Sequence, residues 1–183
     1  GFTIGFALQD ITRNFIAGLI LLVRQPFEIG DAVEAAGQSG TVLSVTTRDT
    51  VLKTWDGETV ILPNLEVFSK PIINYSALPN RRRTIRIGLG YEEDVGQASE
   101  VFLEAIRSVD GVLEEPAPTV HAMNLSDSAL GLDARFWVNQ ETHGLFDVHS
   151  SVVRTINQEA EREGIELPYP IQKVLLEGTQ PST

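Results

Sequence analysis

The sequence contains no cysteine and only three histidines. The absence of cysteine excludes disulfide bonds, thiol nucleophiles and thiolate metal sites. The histidines are His121, His143 and His149, and neither they nor the carboxylates follow a metal-binding spacing. A glycine-rich phosphate-binding motif is also missing from the sequence. We therefore expect no catalytic residue, no metal site and no cofactor, and we predict that the protein is not an enzyme.

Basic residues are scarce as well. Fourteen Lys and Arg stand against 25 Asp and Glu, which gives a formal charge of −11 at pH 7. A protein that binds nucleic acid through phosphate contacts needs the opposite sign, so we expect no nucleic-acid partner. The 42% hydrophobic and 21% charged residues are typical of a folded protein. The length of 183 residues suits one large domain or two small ones.

The first 23 residues carry almost no charge. Asp10 and Arg13 are the charged residues of this segment, which otherwise consists mostly of Ile, Leu, Phe, Ala and Gly. A straight helix of this length reaches about 35 Å, which is enough for a bilayer core of about 30 Å. The segment therefore predicts a transmembrane helix.

Two other interpretations of this segment exist. A secretory signal needs a basic start and a small-residue cleavage site, and neither is present. An amphipathic helix of a soluble protein is the second interpretation, because polar residues interrupt the run between Asp10 and Asn14. Such a helix should show one apolar stripe, whereas the large apolar residues here point in nearly every direction. The amphipathic helix gives the alternative function, which is a soluble or membrane-associated module that binds a ligand or a protein.

Local signals divide the N-terminal segment further. Asp10 is a good N-cap for a second helical piece from Ile11 to Val23, so we expect a break near Asp10. Gly1 and Gly5 form a small-residue ridge that permits close helix packing. Phe2 and Phe6 share the adjacent face at i, i+4 spacing.

Short β-branched runs follow Pro26, which cannot continue a helix. Asp56 and Gly57 form a two-residue hairpin turn between two of these runs. Five short strands joined by tight turns predict a small barrel of the Sm or SH3 type. The predicted strands are Ala32–Ala36, Thr41–Arg48, Thr50–Trp55, Thr59–Leu62 and Ile72–Asn74.

The last hundred residues alternate between strand and helix periodicity. Their order is βαββαβ, which is the pattern of a ferredoxin-like domain. The predicted strands contain residues 85–89, 119–125, 129–139 and 172–177, and the two helices contain residues 95–109 and 145–160.

Several motifs in this order resemble the small-conductance mechanosensitive channel (MscS) family. They are GFALQDITRNFIAG, RQPFEIGD, SGTVLSV, TWDGETVILPN, PIINYS and LPYP. The resemblance implies an α+β chain with a pore-lining transmembrane helix at 1–23 and a small Sm/SH3-like β-barrel at 24–80. A ferredoxin-like domain at 81–171 and a terminal barrel strand with its tail at 172–183 complete it.

The resemblance also implies a function. Members of this family form homoheptamers in the inner (cytoplasmic) membrane, and most of this chain would lie on the cytoplasmic side. Membrane tension opens the pore, and ions and small osmolytes leave the cell during hypo-osmotic shock. Membrane lipids are then further partners. The family places membrane helices ahead of the pore helix, so we expect this chain to be part of a longer, multi-pass channel.

The resemblance also implies site residues, at the positions of this sequence that match functional positions of the family. Phe2 and Phe6 match the hydrophobic constriction of the family, which implies that they form the pore gate. Arg13 and Arg24 flank the lower half of the helix and are candidates for lipid contact. Four further positions match the packing and bending sites of the pore helix: Gly1, Gly5, Asp10 and Gly18. The family commonly has glycine where this chain has Asp10.

Overall fold

The computed structural model describes residues 2–126 and 129–168, with the side chains of residues 8–126 and 129–168. The chain forms two compact units, Gly1–Leu78 and Pro79–Thr183. Both units combine helices with antiparallel sheets, which confirms the predicted α+β class.

The first unit begins with one long helix, α1 (Phe2–Arg24). The predicted break near Asp10 is wrong, because the helix continues through Gln9 and Asp10 without interruption. Ala7, Leu8 and Gln9 are good helix formers, and neither glycine nor proline stands beside Asp10 to oppose them. The carbonyl of Asp10 accepts a hydrogen bond from Asn14 Nδ2 at 2.9 Å, and Asp10 lies inside the helix and not at the start of one. Among the described residues, none of the helices is long and apolar enough to cross a membrane.

A five-stranded antiparallel sheet follows α1. Its strands are β1 (Ala32–Ala35), β2 (Gln38–Val45), β3 (Asp49–Thr54), β4 (Thr59–Pro63) and β5 (Ile72–Asn74). Their order in the sheet is β4-β3-β2-β1-β5, so the last strand pairs with the first. A register shift between Val42 and Ser44 bends β2. Alternate buried residues such as Val33, Val42 and Leu52 form the core of this unit.

The five strands agree with the predicted ones to within three residues at each end. Gly57, at the predicted hairpin, has a φ of +88°, a conformation that side chains rarely adopt. The sequence analysis missed the helix α2 (Asn64–Ser69), which begins directly after Pro63. Its six residues are too few for a helical hydrophobic period to be recognised.

The second unit contains β6 (Asn80–Leu89), α3 (Val95–Arg107), β7 (Thr119–Leu125), β8 (Leu130–Asn139) and α4 (Leu145–Glu163). The sheet order is β6-β8-β7, and all pairs are antiparallel. Apolar residues of both helices pack on the buried face of the sheet around Phe102 and Phe136. Asp94 caps α3, and Gly164 ends α4 at a φ of +70°. The predicted final strand at 172–177 lies outside the described residues.

Candidate functional site

The lower half of α1, residues 13–24, contacts the rest of the first unit along one narrow stripe. We call the first unit without α1, that is its five strands and α2, the β-sheet unit. Ala17, Gly18 and Leu21 are buried, and Asn14 is half-buried. These positions follow the i, i+3, i+4, i+7 spacing that places residues on one helical face. The stripe packs against α2, and Leu21 joins the core of the β-sheet unit. The lower half of α1 is therefore joined to this unit by four positions.

Gly18 provides the closest approach in this stripe. A Cβ atom added at Gly18 would lie 2.2 Å from the carbonyl oxygen of Thr47 and 2.4 Å from Nδ2 of Asn64. Both distances are far below van der Waals contact, and the carbonyl belongs to the backbone. Only glycine lets the helix lie this close to the sheet. Its role as a helix-bending site stays a prediction.

Asn64 is the polar centre of the contact. It is fully buried and lies at the start of α2. Its Oδ1 accepts a hydrogen bond from Thr50 Oγ1 at 2.8 Å, and its Nδ2 donates to the carbonyl of Thr46 at 2.9 Å. Its backbone N–H donates to the carbonyl of Arg48 at 3.0 Å. These bonds satisfy the buried amide and hold the loop between β2 and β3 against α2.

Asn14 links α1 directly to α2. Its Oδ1 accepts a hydrogen bond from the backbone N–H of Leu65 at 3.0 Å. Because Leu65 lies in the first turn of α2, this bond satisfies an N–H that has no partner within the short helix. The same side chain also donates to the carbonyl of Asp10. Asn14 therefore fixes α2 to the middle of α1.

Much of the remaining surface of α1 is apolar and exposed. Side chains on several faces of the helix are at least one-third accessible, although they are large and hydrophobic. A contiguous surface of this kind marks contact with a membrane or with another protein. The exposed residues are Leu8, Ile11, Phe15, Ile16, Leu19, Leu22 and Val23.

Charged residues lie on the same exposed helix. Asp10 and Arg13 are exposed near its middle, and Arg24 is its exposed last residue. Within the described part of the chain, neither Arg13 nor Arg24 forms an ion pair. Both guanidinium groups are therefore accessible to an external anion, and lipid contact stays a prediction for them.

The proposed gate lies at the start of α1. Phe2, Gly5 and Phe6 belong to the helix, so the two phenylalanines are one turn apart, but their side chains lie outside the described ones. Gly1 lies outside the described residues. The described residues contain no group of His, Asp and Glu that could hold a metal ion.

Sequence analysis missed the polar partners of Gly18. Asn14 was treated only as an interruption of an apolar run, and Asn64 only as part of a motif. Asn14 does lie four residues before Gly18, and this spacing on one helical face was an available signal. Thr47 and Asn64 are separated from Gly18 by 29 and 46 residues, and no local pattern connects positions so far apart.

Two family comparisons cover most of the chain. Residues 10–77 match the family described as mechanosensitive ion channel, beta-domain. Residues 84–167 match mechanosensitive ion channel MscS, C-terminal. The chain belongs to the MscS family. This assignment confirms the resemblance that the motifs indicated.

Individual MscS-family relatives agree with this assignment. An uncharacterized MscS family protein of Archaeoglobus fulgidus is 34% identical over 93% of this chain and 59% of its own length. The small-conductance mechanosensitive channel MscMJ of Methanocaldococcus jannaschii is 32% identical over 97% of this chain and 51% of its own length. The relatives with a named activity are thus channels, and the chain spans about three-fifths or less of the length of either protein.

A solved MscS structure has the same fold. The crystal structure of Helicobacter pylori MscS in its closed state superimposes with a TM-score of 0.91 at 26% identity. The match covers 98% of this chain and 70% of that one. The Sm-like sheet and the ferredoxin-like unit are therefore the fold of MscS channels.

Proposed function

We propose that this chain is the pore-helix and cytoplasmic part of a mechanosensitive channel. In this proposal membrane tension opens the pore, and ions and small osmolytes leave the cell during hypo-osmotic shock. The observation that carries the proposal is the exposed apolar surface of α1. A helix joined to its unit by one narrow stripe, with large apolar side chains on its other faces, suits a position among lipids and neighbouring helices.

The proposed assembly is a homoheptamer in the inner membrane. Each α1 helix lines the pore, and the ridge of Gly1 and Gly5 lets neighbouring helices approach closely. The terminal segment 172–183 closes the cytoplasmic cage together with its copies. The likeness to Helicobacter pylori MscS supports this arrangement.

The proposed gate is a ring of Phe2 and Phe6 side chains. Their positions one turn apart on α1 place two apolar layers along the pore axis. A narrow apolar ring stops ions because water leaves it, so the pore conducts only after it widens. Channel opening in this proposal therefore depends on the diameter of the ring and on its polarity.

The contact between α1 and the β-sheet unit supplies the fixed end of this mechanism. Gly18 and Asn14 hold the lower half of α1 on α2 and the loop between β2 and β3. The upper half makes no such contact in the described part of the chain. Tension that moves the upper half would act against a lower half whose position is set by the cytoplasmic unit.

Patch-clamp recording of the full-length protein tests the proposal. Phe6→Ser replaces an aromatic ring by a hydroxyl, so the constriction should fill with water more easily. We expect opening at lower tension, or a leak at rest, and a similar effect of Phe2→Ser. Phe15→Ser is the matched control on the same helix and should have a smaller effect.

Two results would contradict the proposed gate. One is an unchanged threshold tension and resting conductance in both the Phe2 and the Phe6 variant. The other is an equal effect of Phe15→Ser, because the seal would then not depend on position. Failure of the wild-type protein to conduct at any tension would reject channel function itself and favour an interaction module.

A further inference from the structure

The face of the β6–β8–β7 sheet that the helices leave open is rich in arginine. Along β6, the side chains of Arg82, Thr84 and Arg86 are exposed, whereas Ile87 and Leu89 are buried on the opposite face. This alternation is the two-residue period of a strand that covers a core on one side. Arg82 and Arg86 therefore extend from one face of β6, about 13 Å apart along the strand.

A third arginine lies between them on the neighbouring strand. Arg135 of β8 is the direct partner of Thr84, and Thr84 lies midway between Arg82 and Arg86. Directly opposed residues of antiparallel strands have side chains on the same face. Arg82, Arg86 and Arg135 thus share one face of the sheet around Thr84. A shallow depression of about 530 Å³ is lined by these four residues together with Ile85, Asp133 and His149.

One carboxylate reduces the positive charge of this face. Asp133 accepts a hydrogen bond from Arg135 at 3.1 Å, and it is also the strand partner of Arg86. Three arginines and one aspartate leave a charge of +2. The guanidinium groups of Arg82 and Arg86 form no hydrogen bond or ion pair within the described part of the chain, so their donors are accessible to a ligand.

This charge contrasts with that of the unit as a whole. Residues 81–183 contain nine basic and 17 acidic residues, a net charge of −8. The surrounding negative charge repels a long polyanion such as a nucleic acid or an acidic protein. A small anion that fits between the arginines avoids most of this repulsion. Guanidinium groups bind phosphate and carboxylate oxygens in pairs of parallel hydrogen bonds, which makes oxyanions the matching ligands.

We propose that Arg82, Arg86 and Arg135 form a binding site for a small oxyanion with two or more negative charges. Inorganic phosphate, a phosphate ester and a dicarboxylate share this chemistry. Thr84 contributes a hydroxyl at the centre, and Asp133 orients Arg135 through their ion pair. The proposal does not depend on channel activity, because it concerns equilibrium binding to the sheet of the second unit.

Phosphorus NMR of inorganic phosphate tests the proposal on the purified full-length protein. The phosphate line should broaden when protein is added, because bound and free phosphate exchange. Succinate should narrow the line again by displacement, and chloride at the same ionic strength should not. Displacement by succinate but not by a phosphate ester would identify a carboxylate site, and the reverse result would identify a phosphate site.

Paired variants link the signal to these residues. Arg82→Gln combined with Arg86→Gln should weaken phosphate binding at least about a hundredfold, because each lost charge-assisted pair is worth about one power of ten or more. Arg107→Gln combined with Arg154→Gln is the control, since it removes the same charge from α3 and α4. Thr84→Glu places a carboxylate at the centre and should abolish binding without removing any arginine.

Three results would overturn the proposal. The first is the absence of broadening in the wild-type protein. The second is equal weakening in the Arg82, Arg86 variant and the control, which would indicate a general effect of net charge. The third is displacement of phosphate by chloride as readily as by the stronger competitor of the two, succinate or the phosphate ester. All substituted positions are exposed or half-exposed on the surface, and circular dichroism verifies that each variant is folded.

Discussion

The two long helices of the protein, α1 and α4, differ in how much of their apolar surface is buried. α4 buries one complete apolar face against its own sheet, formed by Leu145, Val148, Val152, Ile156 and Ala160. α1 buries only a narrow stripe, and residues such as Phe15 and Leu19 are half exposed. This apolar face of α4 is thus covered within its own unit, and Phe146 and Val153 are the large apolar residues of α4 that stay exposed among those described. The apolar surface of α1 requires lipids, other copies of the chain or another protein to cover it.

The largest expected effect is a difference in the free energy of unfolding between one substitution in α4 and one in α1. Ile156 is 4% exposed and Leu19 is 51% exposed. Ile156→Ala should lower the free energy of unfolding by about 2–5 kcal/mol, because it leaves a cavity in the core. Leu19→Ala should change it by about 0.5 kcal/mol or less. Both effects are measured by denaturant titration of the whole protein. Hydrogen exchange of the amides in the second unit and in α1 reports the stability of each region.

A comparable loss from the two substitutions would break the comparison. If the sample is monomeric, it would mean that the surface of α1 around Leu19 is covered by the chain itself. In that case the exposed apolar surface would no longer indicate an external partner, whereas the same loss in an oligomer alone would indicate cover by other copies.

The next effect concerns the stripe that α1 does bury. Gly18→Val should destabilise the contact between α1 and α2 by about 1–3 kcal/mol, since the new side chain collides with the backbone of Thr47. Leu19→Val is the matched control, because it introduces the same side chain at the next position of the helix, which lies on the exposed surface. Faster hydrogen exchange in the Asn14–Leu21 turns and in α2 should accompany the loss in the Gly18 variant alone.

Equal exchange rates in the wild-type protein and the Gly18→Val variant would contradict this close packing. The narrow stripe would then contribute little to the position of α1, and the fixed lower half of the proposed mechanism would have no structural basis.

The smallest expected effect is a pH dependence confined to the unit that contains α4. His149 lies on α4, and its ring stacks on Phe136 with 6.2 Å between the centroids. Burial, together with the positive charge of Arg83, lowers the pKa of His149 below its usual value near 6.5. The folded state therefore resists protonation more strongly than the unfolded state does.

The sign of the pH effect follows from this lowered pKa. Above pH 6.5 both states are neutral, and His149 contributes no pH dependence. As the pH falls below 6.5, the unfolded state binds the proton first, so the second unit loses stability until the pH reaches the pKa of the folded state. His149→Gln should reduce the drop in melting temperature between pH 7.5 and 5.5, and His143→Gln is the control. A drop of the same size in the wild-type protein and the His149 variant would contradict the assignment.

Local patterns were sufficient to predict most of the secondary structure. Strand alternation and turn residues located the five strands of the first unit, with Gly57 at its hairpin. The capping signal of Asp10 is misleading, because the good helix formers before it, Ala7, Leu8 and Gln9, and the side chain of Asn14 favour a continuous helix. An N-cap residue begins a new helix only when the residues before it also favour a break.

The candidate site was only partly predictable. The family motif identifies Gly18 as a site residue. Glycine is required there because the carbonyl of Thr47 and the amide of Asn64 lie too close for a side chain. Those contacts arise from the folded β-sheet and involve residues far apart in sequence. The arginines on β6 and β8 were also missed, since their proximity follows from the register of two strands separated by α3 and β7.

The mass of the full-length protein in detergent tests the central claim most directly. The claim is that the exposed apolar surface of α1 is covered by copies of the same helix around a pore and by the surrounding lipid. Multi-angle light scattering, corrected for bound detergent, should give the mass of a homoheptamer. A monomer or a dimer would contradict the channel proposal and would instead support an interaction module with α1 as its docking helix.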